Sequence, residues 1–336
     1  MLKNKLRLVS IAAAALMVSS TIGVVISTTA QAAAKHKTFQ VAYLSYGVAN
    51  SYDAPMLAAA EAVASASGNV KVTVFDSQST YTTQVSQLQD VIASGKYQGI
   101  ITQPIYGAAL LPGVKLAIKK HIKVVNIDQI LGTNYASDQS EVAGLSGNVV
   151  FFPSKIGSQL AALTVQACGT ASPCNVVLVH NYTGDEPDSA ITTAFDAGIA
   201  SSSAKVVDQG DGMYEPSTAL TFVQDALVAN PDTNVIVGSD QDCEGAQSAL
   251  TSAKNTSVKL VCYGASATGI AAVKSGAWFA DVAQAPASEG ELGMEALIKA
   301  MKTGKNSKAE NPVAAFPNNG VVTASNASKF VGQWPG

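Results

Sequence analysis

Phe39-Gln-Val-Ala-Tyr-Leu-Ser-Tyr46-Gly-Val-Ala-Asn50-Ser-Tyr52-Asp53-Ala-Pro55 holds the fold in miniature. The apolar run Phe39–Leu44 reads as a buried strand, and the polar segment after it reads as a loop. Pro55 suits the first turn of a helix, and Asn50 or Asp53 suits the cap before it. Pro55–Ser67 continues as that helix and Val70–Phe75 as the next strand. Strand, helix and strand in this order imply parallel pairing, because only a crossover brings the chain back in the same direction.

The same alternation runs outward from this unit. Gly99–Thr102 and Val124–Ile127 follow as strands, with Tyr81–Ser94 and Ala108–Lys119 as helices; Leu88, Val91 and Ile92 recur at helical spacing. A second half repeats the scheme. Its strands are Val176–Val179, Lys205–Asp208, Val235–Val237, Lys259–Cys262 and Ala280–Ala283. Its helices are Ser154–Cys168, Asp188–Ser201, Ser217–Ala229, Cys243–Ala253 and Thr268–Ser275. The expectation is an α/β protein of two doubly wound parallel-sheet lobes, whose ligands collect beyond the carboxyl ends of the strands.

Lys3, Lys5 and Arg7 precede an apolar stretch from Leu8 to Ile26, and an Ala-x-Ala step at Ala30-Gln31-Ala32 closes it. That layout is read as a signal peptide over residues 1–33, so the protein is expected to be exported, to a periplasm or a cell surface. About 300 residues remain, enough for two ordinary cores. With 47% hydrophobic residues, 13% charged and a net charge of -3, the chain offers no basic patch for nucleic acid or anionic membrane. Arg7 is the only arginine, so the processed chain has no guanidinium fork with which to grip an anion.

An oxidising compartment makes disulfides the default for the four cysteines. Cys168 and Cys174 flank a short turn and are the favoured pair. Cys243 and Cys262 lie at or near strand ends and form a second candidate pair. A metal site would need more ligands than His36, His121 and His180 supply nearby; neither metal nor cofactor is expected.

The loops after the strands carry the candidate binding residues. Tyr52 beside Asp53 and Asn50 sets an aromatic face next to hydrogen-bonding groups, as a sugar ring requires; simple helix capping is the competing account. Asp128, ending Val124-Val-Asn-Ile-Asp128-Gln129, can accept two charge-assisted hydrogen bonds from hydroxyls, or cap the following turn. His180, in a loop with Asn181 and Asp185, either donates to a ligand or fills a polar strand end. Tyr106, Tyr182, Tyr214 and Trp278 are further aromatic candidates, of which Tyr106 and Tyr182 directly follow strands.

With Val41–Tyr52, Asp76–Ser94, Gly99-Ile-Ile-Thr-Gln103-Pro104, Lys123–Asp128, Asp240–Gly245 and Ala283–Pro286 in this order and spacing, the chain resembles the periplasmic sugar-binding proteins of the ribose-binding type, substrate-binding subunits of ABC transporters. The resemblance covers nearly all of the chain after the signal peptide. It implies the type I periplasmic binding protein fold, two lobes joined by a three-segment hinge with crossings near Ala143, Gln284 and Asn311. The first lobe would then be 38–143 plus 286–312 and the second 144–285 plus 313–336. It also implies ligand roles for Asn50, Tyr52 and Asp128, with Gln129 standing where arginine is common and Asp53 replacing a second aromatic. In the second lobe it adds Ser239, Asp240, Ser266 and Gln284. Before Gly198, where relatives often carry a ligand-binding arginine, this chain has none.

The function expected is capture of a small neutral sugar or polyol between closing lobes, by a monomer that hands it to the membrane permease of an ABC importer. Presentation of the ligand to a chemoreceptor or kinase would use the same closed form. An exported hydrolase is disfavoured: Gly144-Leu-Ser146-Gly-Asn and Gly264-Ala-Ser266-Ala-Thr are not nucleophile elbows, and no histidine pair has metalloprotease spacing.

Overall fold

A computed structural model describes residues 38–336 of the chain; the signal peptide expected over 1–33 lies outside them. The first strand, β1 (Phe39–Ser45), buries Val41 to Leu44 completely, as a strand covered on both faces must. It lies between β2 (Val70–Asp76) and β3 (Gly99–Thr102), followed by β4 (Lys123–Asp128), β5 (Gly147–Val150) and, at the far edge, β11 (Ala309–Glu310), all parallel. Helices α1 (Asp53–Ala66), α2 (Tyr81–Ser94) and α3 (Gly107–Lys119) are the crossovers. Leu88, Val91 and Ile92 of α2 are buried together, which confirms the helical spacing, and the helix stops at Gly95 in the left-handed conformation that glycine adopts without strain.

The second sheet follows the same winding. Strands β6 (Cys174–His180), β7 (Ala204–Asp211), β8 (Thr233–Ser239), β9 (Lys259–Gly264) and β10 (Ala280–Ala283) are parallel, in the order β10-β9-β8-β6-β7, while β12 (Val321–Thr323) runs antiparallel beside β10. The crossover helices are α4 (Pro153–Cys168), α5 (Glu186–Ile199), α6 (Pro216–Ala229), α7 (Asp240–Ser252) and α8 (Ala267–Ser275). Apolar clusters form separate cores in the two lobes, around Leu44, Leu88 and Ile100 or Tyr43, Ile101 and Ile127 in the first, and around Ile236 and Trp278 or Leu178 and Phe195 in the second.

Helix α9 (Pro286–Thr303) follows β10 yet packs on β4, β5 and α1 of the first lobe. Its Gly290 makes this approach possible, because a Cβ there would lie 1.9 Å from the carbonyl oxygen of Met56. The sequence reading places the first crossing near Ala143, but β5 is a member of the first sheet, so the chain leaves that sheet only after Val150. Strands β5, β11 and β12 are too short to carry a periodicity of their own. Strand β7 is longer than Lys205–Asp208 and extends to Asp211.

Both disulfides form, Cys168–Cys174 and Cys243–Cys262, and both lie in the second lobe. Among the described residues no helix is long and apolar enough to cross a membrane.

Candidate functional site

The carboxyl ends of both sheets open onto one cavity of ≈ 160 Å³, lined from both lobes. That is smaller than the roughly 300–1,000 Å³ of sites for drug-sized molecules. Asn50, Tyr52, Asp53, Asp128 and Gln129 line it from the first lobe; Ser239, with Gln284 at a crossing, lines it from the other side.

Asp53 and Asp128 are held by a shared donor. Gln103, fully buried just beyond β3, donates through Nε2 to Asp53 Oδ1 at 2.6 Å and to Asp128 Oδ2 at 3.2 Å, while its Oε1 accepts from the Tyr46 amide at 3.1 Å. Gln84 of α2 donates to the Gln103 carbonyl at 2.8 Å and fixes the loop from below. Asp128 Oδ1 accepts from the Tyr52 hydroxyl at 3.4 Å. The Asn50 side chain accepts from the Tyr52 amide at 2.8 Å and shapes the turn before α1. Neither Asn50 nor Asp53 caps that helix through its side chain, since Tyr52 is the cap residue and no side-chain cap bond is present.

Burial raises the Asp128 carboxyl to about 6, against the hydrogen bonds from Gln103 and Tyr52 that lower it. Burial and then the Asp128 charge push Asp53 well above the usual carboxylate range. Glu289 of α9, fully buried, is pushed up in the same way, by burial and by Asp128 and Asp53. Three carboxyls thus share one desolvated region whose described cavity lining has no lysine or arginine, so protons replace counter-ions. At neutral pH Asp128 keeps enough charge to accept strong hydrogen bonds from hydroxyls.

Four residues with left-handed backbone lie on the cavity wall: Ser79 (φ 55), Asp128 (φ 66), Met213 (φ 59) and Tyr214 (φ 55). Such conformations cost free energy in residues other than glycine and gather where a site imposes them. Gln129 also lines the cavity, and its side-chain oxygen is buried without a hydrogen-bond partner.

Four of the residues singled out from sequence stand elsewhere. Tyr106 precedes α3 and packs edge-on against Tyr81 with centroids 5.8 Å apart. His180 is tied through Nδ1 to Asp188 at 2.7 Å, and that bond raises its pKa. Asp240 is fully buried and accepts from the Ser266 amide at 2.7 Å, beside the carboxyl of Asp281. Ser266 caps α8 by accepting from Gly269 N at 2.8 Å. Asp240 and His180 are held by internal partners and Ser266 by the start of its own helix.

Other lining residues were undervalued by sequence. Tyr214 and Met213 reach the cavity because β7 runs on to Asp211, which places them directly after a strand. Tyr182 and Asp185 join them, with the Tyr182 and Tyr214 rings 6.1 Å apart. Gln241 and Glu215 complete that side. Trp334 carries no local signal, since it comes from a segment distant in sequence; it meets Tyr52 edge-on with centroids 5.5 Å apart. Among the described lining residues there is no lysine or arginine.

Two wound lobes with a polar cavity between them define a class, and the chain belongs to the periplasmic binding protein domain family, whose sequence model matches residues 41–306. It is 28% identical over 294 residues to the D-allose-binding periplasmic protein of Escherichia coli, covering 84% of this chain and 90% of that one. A ribose import binding protein of Haemophilus influenzae is 24% identical over 250 residues, 72% of this chain and 79% of the relative. Among solved structures, an ABC transporter periplasmic solute-binding protein from Actinobacillus succinogenes with bound D-allose superposes with a TM-score of 0.72 at 21% identity, covering 87% of this chain and 100% of that one. A solute-binding protein from Mycobacterium smegmatis with bound glycerol gives 0.73 at 20% identity, over 89% and 99%.

Proposed function

We propose that this protein is exported, captures a small neutral sugar or polyol in the cavity between its lobes, and delivers it to the permease of an ABC importer. The observation that carries the proposal is a small cavity walled by both lobes, rich in hydrogen-bonding groups and aromatic rings and free of lysine and arginine. A polyol presents hydroxyls to Asp128, Asn50, Gln129, Ser239 and Gln284, and C–H faces to aromatic rings. Sugar acids and phosphates would meet Asp128, Asp185 and Glu215 with no opposing charge. The relatives support the same class, since D-allose, ribose and glycerol stand in the names of proteins similar to it.

Ligand bridging both lobes favours the closed form, because a solute that contacts only one lobe shifts no equilibrium. A closed form is what a permease can distinguish from the empty protein. None of the relatives named above is described as an enzyme, and the protein is read as a binder that works as a monomer.

Thermal-shift measurements with D-allose, D-ribose, myo-inositol and glycerol, and with D-glucosamine as a cationic probe, test this reading. At about one hundred times Kd a ligand stabilises the folded state by about 2.7 kcal/mol, a clear rise in Tm. The acidic lining supports a second reading, a cationic solute; a shift with the amine alone would favour it and defeat the neutral-polyol proposal.

A further inference from the structure

The segment Phe330–Gly336 joins the two lobes outside the three hinge crossings. Its anchors are the N-termini of two helices, where backbone N–H groups lack intrahelical partners. In the second lobe, the first turn of α8 donates from Ala267 N to the Trp334 carbonyl at 2.8 Å and from Thr268 N to the Pro335 carbonyl at 3.1 Å, with Thr268 Oγ1 adding a bond at 3.0 Å. In the first lobe, the Gln333 side chain clasps the first turn of α9: its Oε1 accepts from Ser288 N at 2.9 Å and its Nε2 donates to Ser288 Oγ at 2.7 Å. Gly332 allows the approach, since a Cβ there would lie 2.4 Å from Ala267 N.

Trp334, between these anchors, is seated in the second lobe yet touches the first. Its Nε1 donates to the Gly264 carbonyl at 3.0 Å, over a glycine whose Cβ would come within 2.7 Å of the indole. Its ring meets Tyr52, which itself donates to Asp128. The indole N–H is therefore already used, and what Trp334 offers the cavity is an apolar π surface, the complement of a sugar's C–H face. Trp334 therefore sits between Tyr52 of the first lobe and the Gly264 backbone of the second.

We propose that residues 332–336 form a fourth interlobe strap that delivers Trp334 to the ligand as its stacking face, with Gln333 as the latch. The ligand half rests on the cavity being the binding site proposed above; the strap half does not. Trp334 stacks, Gln333 positions it, and the two lobes cannot part without breaking the Gln333 clasp or lifting Trp334 off Gly264.

The chain has two tryptophans, and Trp278 is buried in the core of the second lobe, so W278F isolates the emission of Trp334. Titrating W278F with D-allose, myo-inositol and glycerol should change that emission and shield it from acrylamide. By calorimetry, W334A should bind at least about tenfold more weakly, the loss expected of an aromatic anchor. In Q333A, amide exchange followed by NMR should quicken at Ala267 and Thr268, which Gln333 does not touch, because the strap detaches as a unit. Unchanged exchange at those two amides would overturn the strap with or without a ligand. Sugar binding by the wild type with a silent Trp334 and full affinity in W334A would overturn the stacking role and leave the proposed function intact. Failure of the wild type to bind any of these three or D-ribose would defeat the neutral-polyol reading together with the stacking role, and the exchange measurement would still decide the strap.

Discussion

Asp128 and Asp240 both stand at or just beyond the carboxyl end of a central parallel strand, β4 in the first sheet and β8 in the second, and the two lobes use them in opposite ways. In the first lobe the donors are one amide, Gln103, and one phenol, Tyr52, shared between Asp53 and Asp128, while both carboxyl oxygens of the neighbouring Glu289 are buried without a partner. Acceptors outnumber donors there, and Asp128 faces the cavity still able to accept. In the second lobe the acids are spent internally: Asp242 closes a capping box with Ser239, Asp240 holds the Ser266 amide, and Asp188 holds His180. Position in a wound sheet says where a site must open, but the local supply of donors decides which acid faces it.

The largest test of this asymmetry concerns stability. Both disulfides staple the second lobe, closing loops with separations of 6 and 19 residues. In the chain-entropy account these contribute about 2 and about 3 kcal/mol. Reduction should therefore lower the unfolding free energy of the second lobe by about 5 kcal/mol, with denaturant melts followed by Trp278 emission losing midpoint. An unchanged midpoint after complete reduction would break the comparison.

Protons come next. Asp128 is displaced from 3.8 to about 6 and Asp242 to about 7, both by burial. An acid whose folded pKa is raised binds more protons folded than unfolded, so its stabilising contribution is present near pH 4 and is lost as pH rises through 6 to 7. The Asp128 displacement alone amounts to about 3 kcal/mol. The ligand-free protein should melt higher at pH 5 than at pH 7.5. Affinity for a neutral polyol should move the other way, falling below pH 6 as Asp128 is protonated and ceases to be a charged acceptor. Calorimetry at the two pH values separates these opposed trends.

A third measurement addresses Asp128 directly. D128A should weaken polyol binding about a hundredfold, the loss of two charge-assisted hydrogen bonds, while leaving the unliganded Tm unchanged or higher because it relieves repulsion with Asp53 and Glu289. Equal affinity in D128A would remove this carboxylate from the site. The smallest effect expected is in the other lobe: S266A, which loses the cap on α8, should cost about 1 kcal/mol of stability and leave affinity alone. A fall in affinity with stability intact would restore Ser266 as a ligand contact.

Most of the fold was legible in the sequence, because a buried parallel strand must be apolar along its whole length and its covering helix must repeat every three to four residues. Val41–Leu44 and the Leu88, Val91, Ile92 triplet are cases of each. Strand β5 was missed because its Gly147-Asn148 start has turn chemistry and leaves only two apolar residues, and Tyr214 was undervalued because the polar end of β7 looks like a loop. The cavity lining was legible where a residue's own turn aims it, as at Asn50, Tyr52 and Asp128. It was not legible where a distant partner decides, as with Asp281 beside Asp240 or Asp188 beside His180.

Sequence alone determined two wound lobes, the absence of arginine from residues 38–336 and a polar loop after each strand, since those follow from hydrophobic period and composition. Only the tertiary structure decided that Gln103 and Glu289 lie beneath the acids of one lobe and that Trp334 reaches the cavity from far along the chain. The reason is physical: period and turn chemistry act between near neighbours, whereas hydrogen-bond donors and aromatic faces are allotted by whichever segments packing brings together.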